Sequence, residues 1–318
     1  MDDTEARKES CLNARTTKQE SCLPRLMALA LAFFGLLFGA VENAAAVDDA
    51  FAHLKQKLVA DGFAKNQVSA LYPPGFTPLY KTVSQTLRLR ESKLNYDQFL
   101  QPSTVAEARR FLHRNESILL RAEEMYGVNR CVIVAILLVE THFGSYTGTT
   151  PTLAILSTFA LMDQKSSRDR VWNLMSPQDR KNWDRAEFDR RLTQRADWAY
   201  DELYALLGLT DWQPKKIAAL KGSVMGAIGW PQFLPSSLAR WGTDGNRDGR
   251  IDLFDPEDAI FSVANYLRVH GWDEARTESE KEDVIYTYNH SRPYVGAILG
   301  VAREMGECSG SRSLSGGK

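Results

Sequence analysis

From Val132 to Val139 every side chain is aliphatic, VIVAILLV, and the next residue is a carboxylate, Glu140. A helix of that composition has no wet face, so other elements must wrap it. An ionised carboxylate beside such a surface is costly unless it shifts its pKa or finds a partner. Glu140 therefore sits either on the wet side of the helix end or in a place where a poised acid has work to do.

The surrounding sequence is helical. VAEARRFLHRNESILLRAEEMYG (105–127) sets Phe111, Leu112, Ile118, Leu119, Ala122 and Met125 on one stripe, Gly127 supplies a stop, and Asn129 caps the aliphatic helix. FAHLKQKLVADGF, RADWAYDELYALLGL and PEDAIFSVANYLRVHGW continue the pattern, and hairpin signals are scarce. The spacing predicts a mainly α protein with an N-terminal helical portion over 47–104 and a core over 105–306. Within that core, 165–220 reads as a helical excursion; Lys165–Arg195 is charged, with Trp172 and Trp183 spaced through it, and reads as solvated, with a substrate-contacting subdomain as the alternative. The end, 307–318, reads as a disordered tail.

Residues 1–46 are set apart. LMALALAFFGLLFGAV (26–41) is an apolar run preceded by Lys18 and Arg25 and followed by small residues, the pattern of a secretory signal cleaved after Ala46; an uncleaved inner-membrane anchor is the alternative. Neither Cys11 nor Cys22 follows the run, so lipid attachment at the cleavage site is not expected. The whole chain carries 39 Lys and Arg against 40 Asp and Glu; removing 5 and 6 of these leaves 34 of each. A neutral exported protein has no field to draw nucleic acid. Export permits a Cys131–Cys308 bridge, but the apolar setting of Cys131 favours a buried thiol.

Two further stretches carry chemistry. DGNRDGRIDLFD (244–255) fits D-x-[DN]-x-[DN]-G, with Asp244, Asn246 and Asp248 at alternate positions and Gly249 at the turn. Such spacing gathers hard oxygens for calcium, with Arg250 offering its backbone carbonyl. Asp255 occupies the twelfth position but also precedes Pro256 as a helix cap, so Asp258 is the better closing ligand. KGSVMGAIGWPQFLPSSLARWG (221–242) combines close-spaced glycines with Trp230, Phe233 and Trp241, which suits a carbohydrate groove. No Asp or Glu lies between Lys221 and Asp244, between His142 and Met162, or between Ile285 and Arg303. If these segments line one cleft, Glu140 is its lone carboxylate. That argues against a glycosidase with two paired carboxyls and for attack by the sugar's own hydroxyl.

VETHFGSYTGTTPTLAILSTFA, KGSVMGAIGWPQFLPSS, the acidic loop with DPEDAIFSVANYLRVHGW, and YNHSRPY together resemble the membrane-bound lytic murein transglycosylase B family, glycoside hydrolase family 103, from about residue 96 to 305. The resemblance implies a lysozyme-like α core with an EF-hand-like calcium loop over 244–258. It implies cleavage of the β-1,4 bond between N-acetylmuramic acid and N-acetylglucosamine in peptidoglycan, leaving 1,6-anhydro ends. It makes Glu140 the acid and then base, with Ser223, Gln232, Tyr266, Tyr288, Asn289 and Tyr96 as substrate-binding residues. It also implies calcium at Asp244, Asn246, Asp248, Arg250 and Asp258, no organic cofactor, and glycan strands as partner. A periplasmic monomer, open to synthesis or division complexes, is expected. Where well-known members read QFMPS this chain has QFLPS, and fifteen residues between HGW (270–272) and YNHS (288–291) leave no room for an inserted β domain. A hydrolytic muramidase and a noncatalytic peptidoglycan-binding protein are the alternatives.

Overall fold

The computed structural model describes residues 49–88, 95–209, 213–275, 277–306 and 308. The expected signal segment and all of the expected tail except Cys308 lie outside these. In chain order the helices are α1 (Ala52–Ala60), α2 (Lys65–Leu71), α3 (Tyr80–Thr86), α4 (Pro102–Arg114), α5 (Glu116–Tyr126), α6 (Arg130–Thr141), α7 (Thr152–Ala160) and α8 (Lys165–Leu174). They continue with α9 (Pro177–Arg180), α10 (Arg185–Gly208), α11 (Pro214–Ala219), α12 (Pro235–Trp241), α13 (Pro256–Val269), α14 (Glu278–Tyr288) and α15 (Arg292–Met305). Among the described residues the only sheet is a two-residue ladder. In it β1 (Thr150–Pro151) pairs antiparallel with β2 (Lys221–Gly222), Thr150 opposite Gly222.

Two hydrophobic clusters organise these helices. The first joins α4, α5 and α6 to α13, α14 and α15. The second joins α1–α3 to α7, α8, α10 and α11. Each is built round one helix apolar on every side. In α6, Cys131 through Leu138 are all buried; in α7, Thr152 through Ala160 are all buried. The aliphatic run thus forms the centre of a core, as its composition requires.

The stripe over 105–127 is not one helix. Asn115 interrupts it, with its backbone N–H and its Nδ2 both donating to the Phe111 carbonyl, 3.1 and 2.9 Å away. A short amide side chain competing for a backbone acceptor ends α4, and α5 restarts after it. Helix α5 buries Leu119, Ala122 and Tyr126 and leaves Met125 49% exposed.

The solvated reading of Lys165–Arg195 is corrected. Phe188, Leu192, Ala196, Ala199, Leu203 and Leu206 form an unbroken helical stripe on α10 and are buried in the second core, with Val171 from α8. Charged residues fill nearly every other position, so composition hid the stripe.

The buried-thiol reading of Cys131 is corrected as well. Cys131 forms a disulfide with Cys308, 177 residues away, with Cα atoms 6.0 Å apart. Cys131 opens α6, whereas Cys308 follows the end of α15. At the other end of the same antiparallel pair, Glu140 meets Tyr294. The two helices are therefore tied covalently at one end and by a hydrogen bond at the other.

Candidate active site

Helix α6 begins as its sequence suggests, with Asn129 Oδ1 accepting from the Cys131 N–H at 2.8 Å. It ends abruptly. His142, Phe143 and Gly144 take φ values of 48°, 57° and 79°, so three left-handed residues follow each other directly after Thr141. For the two that carry a Cβ this costs about 1–3 kcal/mol each. Three contacts hold the turn. Thr141 Oγ1 donates to the Trp230 carbonyl at 2.9 Å and accepts from the Gly144 N–H at 3.0 Å. The Phe143 ring stacks on Phe111 at 4.0 Å and 6°. Only glycine fits at 144, because a Cβ there would lie 2.0 Å from the Trp230 indole nitrogen.

This turn sets Glu140 half-buried at the edge of the first core. Tyr294 donates its hydroxyl to Glu140 Oε1 at 2.7 Å and is itself 1% exposed. From Tyr294 a row of aromatics leads away. Tyr96 stands edge-on to it at 6.1 Å and 88°. Tyr288 lies nearly parallel, 6.4 Å off, and donates to the Pro231 carbonyl at 2.6 Å. Tyr266 packs against Tyr288 at 4.9 Å, stacks on His270 at 4.0 Å, and donates to the Thr287 carbonyl at 2.8 Å.

Burial first, and then the charge of Glu140, push the Tyr288 and Tyr294 hydroxyls well above their ordinary range. Both remain proton donors across the range in which carboxylates titrate. Among the described residues, Glu140 is the carboxylate whose charge bears on both of them.

The structure brings Glu140, Tyr96, Tyr266 and Tyr288 into this one row. Gln232 is tied to it through its neighbour Pro231, the acceptor for Tyr288. Its own backbone is left-handed at φ 49°, and its Nε2 donates to the Gly229 and Thr147 carbonyls at 2.8 and 3.2 Å. Ser223 serves a turn, where its Oγ accepts from the Met225 and Ala227 N–H groups at 3.2 and 3.1 Å. Its loop packs on the one after Glu140 so closely that a Cβ at Gly148 would lie 2.7 Å from the Ser223 nitrogen. Asn289 ends α14, and its backbone carbonyl accepts from the Ser291 N–H at 2.7 Å.

Two residues escaped the sequence reading. Tyr294, the last residue of YNHSRPY, is the group that touches Glu140; nothing in its spacing separates it from an ordinary core tyrosine. Tyr146 lies between Glu140 and Gln232 in the chain path, its N–H bonded to the Thr141 carbonyl at 3.0 Å, yet its ring is 73% exposed.

The acidic loop lies apart, ahead of α13. Asp244 accepts from the Asp248 and Gly249 N–H groups at 3.1 and 2.9 Å, and Gly249 turns at φ 87°. Asp255 caps α13 by accepting from the Glu257 and Asp258 N–H groups, the competing role the sequence suggested. Asp258 is 1% exposed and accepts from Gly245, Asn246 and Asp252 at 2.8, 3.3 and 2.7 Å; burial raises its carboxyl above the usual range. Hard oxygens at alternate positions and a buried acid without a cation fit a calcium loop chemically. Among the described residues, however, no three His, Cys, Asp or Glu side chains converge tightly enough to hold an ion.

A helical core with a half-buried carboxylate at the end of its central helix, beside a short ladder and a glycine-rich loop, is a lysozyme-like architecture. Comparison with known proteins agrees. Residues 46–282 match the transglycosylase SLT domain, and the chain belongs to that family. Over 175 residues it is 34% identical to membrane-bound lytic murein transglycosylase B of Escherichia coli (strain K12); the match covers 55% of this chain and 40% of that protein. The soluble lytic transglycosylase SltB1 from Pseudomonas aeruginosa superposes with a TM-score of 0.62 at 25% identity, over 80% of this chain and 97% of that one. The Escherichia coli lytic transglycosylase Slt35, solved in complex with calcium, shares the fold at a TM-score of 0.62 and 23% identity, over 81% and 93%.

Proposed function

We propose that the protein is a lytic transglycosylase that cuts the β-1,4 bond between N-acetylmuramic acid and N-acetylglucosamine without consuming water. Glu140 in its acid form gives its proton to the glycosidic oxygen, and the bond to the muramic C1 breaks as positive charge develops on the ring. The carboxylate left behind then takes the proton of the C6 hydroxyl on the same sugar while O6 closes onto C1, giving a 1,6-anhydro end. Protons and atoms balance, and Glu140 ends as it began.

The observation that carries this reading is the half-buried carboxylate held at 2.7 Å by a tyrosine that stays protonated. Tyr294 fixes the carboxyl's orientation whichever form it is in. Among the described residues the row of aromatics holds no second carboxylate to activate water as a glycosidase with paired acids would. Structures of SltB3 from Pseudomonas aeruginosa with NAG-NAM-pentapeptide and NAG-anhNAM-pentapeptide share this fold and support the substrate class. Tyr96, Tyr266, Tyr288, Gln232, Ser223 and Asn289 form the groove in this reading, the first three by packing and the last three through polar atoms. Mass spectrometry of products from purified sacculi tests it. Anhydro ends are expected, whereas reducing muramic ends indicate a muramidase and no release at all indicates a binding protein.

Calcium belongs to the same proposal. Asp244, Asn246, Asp248, Asp258 and the Arg250 carbonyl would hold it, with the ion pinning the loop to α13 rather than entering the chemistry. The proposal also places the protein outside the cytoplasm, since a Cys131–Cys308 disulfide persists in oxidising compartments. Among the described residues no helix is long and apolar enough to cross a membrane.

A further inference from the structure

The second core carries a feature that cleavage at Glu140 does not use. Several of its arginines are matched with acids. Arg168 bridges Asp189 at 3.1 Å, Arg185 bridges Asp169 and Asp189, Arg190 bridges Glu187, and Arg88 bridges Asp179 at 3.0 Å. Arg195 meets no acid among the described residues. Its side chain is half-buried on α10, where it makes one long hydrogen bond, 3.5 Å, to Thr86 Oγ1 and lies 6.0 Å over the Phe159 ring. The charge that bears on it is another cation, Arg191, one helical turn back. A guanidinium cannot shed its proton to escape this, so the charge persists, with no acid against it among the described residues.

Beside it is a cavity of about 290 Å³, lined by Thr86, Leu87, Trp183, Arg191, Gln194, Arg195 and Trp198. Arg191 lies 5.3 Å over the Trp183 ring, and Trp198 packs edge-on against Phe159. Arg191 shares Glu187, at 3.6 Å, with Arg190. The cleft therefore carries an excess of positive charge, which an anion answers. Indoles from two sides and the Gln194 amide favour an organic anion over a bare inorganic ion.

We propose that this cleft is a second binding site, taking a carboxylate of a short peptide against Arg195 with the peptide's apolar groups on Trp183 and Trp198. The peptide's identity rests on the reading above: it is the stem carried by the glycan.

The experiment uses the full chain carrying Glu140→Gln, so that nothing is turned over. Calorimetric titrations compare free pentapeptide, the same peptide with its carboxylates amidated, NAG-NAM-pentapeptide and the peptide-free NAG-NAM disaccharide. Arg195→Gln is expected to weaken binding of the free peptide and of the peptide-bearing disaccharide at least tenfold. Amidation should do the same, and the peptide-free disaccharide should bind unchanged. Arg195→Gln should melt no lower than its parent, since it removes an unpaired charge, and Arg195→Lys should recover part of the affinity. Equal binding of pentapeptide by the parent, Arg195→Gln and Arg191→Gln overturns the proposal, as does equal binding of the amidated peptide or saturation by inorganic phosphate alone. Loss of the disaccharide signal together with absence of anhydro product counts against the cleavage reading instead, because Arg195-dependent binding of free peptide would survive it.

Discussion

Helices α6 and α7 are close counterparts. Each is aliphatic, each is buried on every face, and each organises one of the two cores. They differ in where their polar groups go. In α7 two of the three hydroxyls are consumed internally: Ser157 shares a hydrogen bond of 2.7 Å with Tyr72, and Thr158 accepts from the Leu79 N–H at 2.9 Å while donating to the Ala154 carbonyl at 2.6 Å. These bonds fasten α2 and α3 to the core and leave nothing for chemistry. In α6 the polar groups sit at the end, where a strained turn delivers Glu140 to a tyrosine at the surface of the core. One helix spends its polarity on stability, and the other concentrates it at the proposed reaction site.

The contrast is broken most strongly by Glu140→Gln. On the α6 side it should reduce release of anhydro products roughly a thousandfold or more while leaving the melting temperature near that of the parent, because only proton transfer is removed. The opposite behaviour is expected on the α7 side. Phe188→Ala opens a cavity in the second core and should cost about 3–5 kcal/mol by denaturant unfolding, with kcat per folded molecule kept. A matching loss of kcat would show that the two cores are not separable in function.

The covalent tie between α6 and α15 comes next. Cys308→Ala, or reduction of the native protein, should lower stability by about 2–5 kcal/mol, read as an earlier urea midpoint. If Glu140 release is also slower, the disulfide positions the acid as well as holding the fold. The tyrosine row gives a pH signature of smaller size. Tyr288 and Tyr294 keep their protons in the folded protein above the 10.0 at which they ionise when unfolded. The folded state therefore binds more protons there, so their contribution is present below pH 10 and lost as pH rises beyond it. The melting temperature should fall through that window, and Tyr288→Phe should flatten the fall.

The smallest effects sharpen the picture at its edges. Chelation should lower the melting temperature with kcat at 25 °C unchanged; no shift in melting removes calcium from the proposal. Tyr146→Ala should raise KM for glycan a few-fold with kcat preserved, and Tyr146→Trp should restore it, as expected of an exposed ring on the loop after α6 that stacks on a sugar.

Much of this was legible from local pattern. The aliphatic run, the Asn129 cap, the Asp255–Pro256 start and the alternate acids of the calcium-type loop all depend on neighbours within a turn or two. The stripe of α10 was equally local but masked by the arginines and acids between its apolar positions. The break at Asn115 turned on a side chain choosing a backbone acceptor, a competition whose outcome composition does not reveal.

By itself the sequence determined that a helix without a wet face must lie at the centre of a core and that its single carboxylate must stand at that helix's end. It determined this because hydrophobic burial and helical periodicity act along a few turns of one segment. Tertiary structure alone decided that Tyr294, 154 residues away, would hold Glu140, that Cys131 would meet Cys308, and that Arg195 would meet Thr86. Those outcomes depend on which surfaces meet when distant helices pack, and no local pattern carries that information.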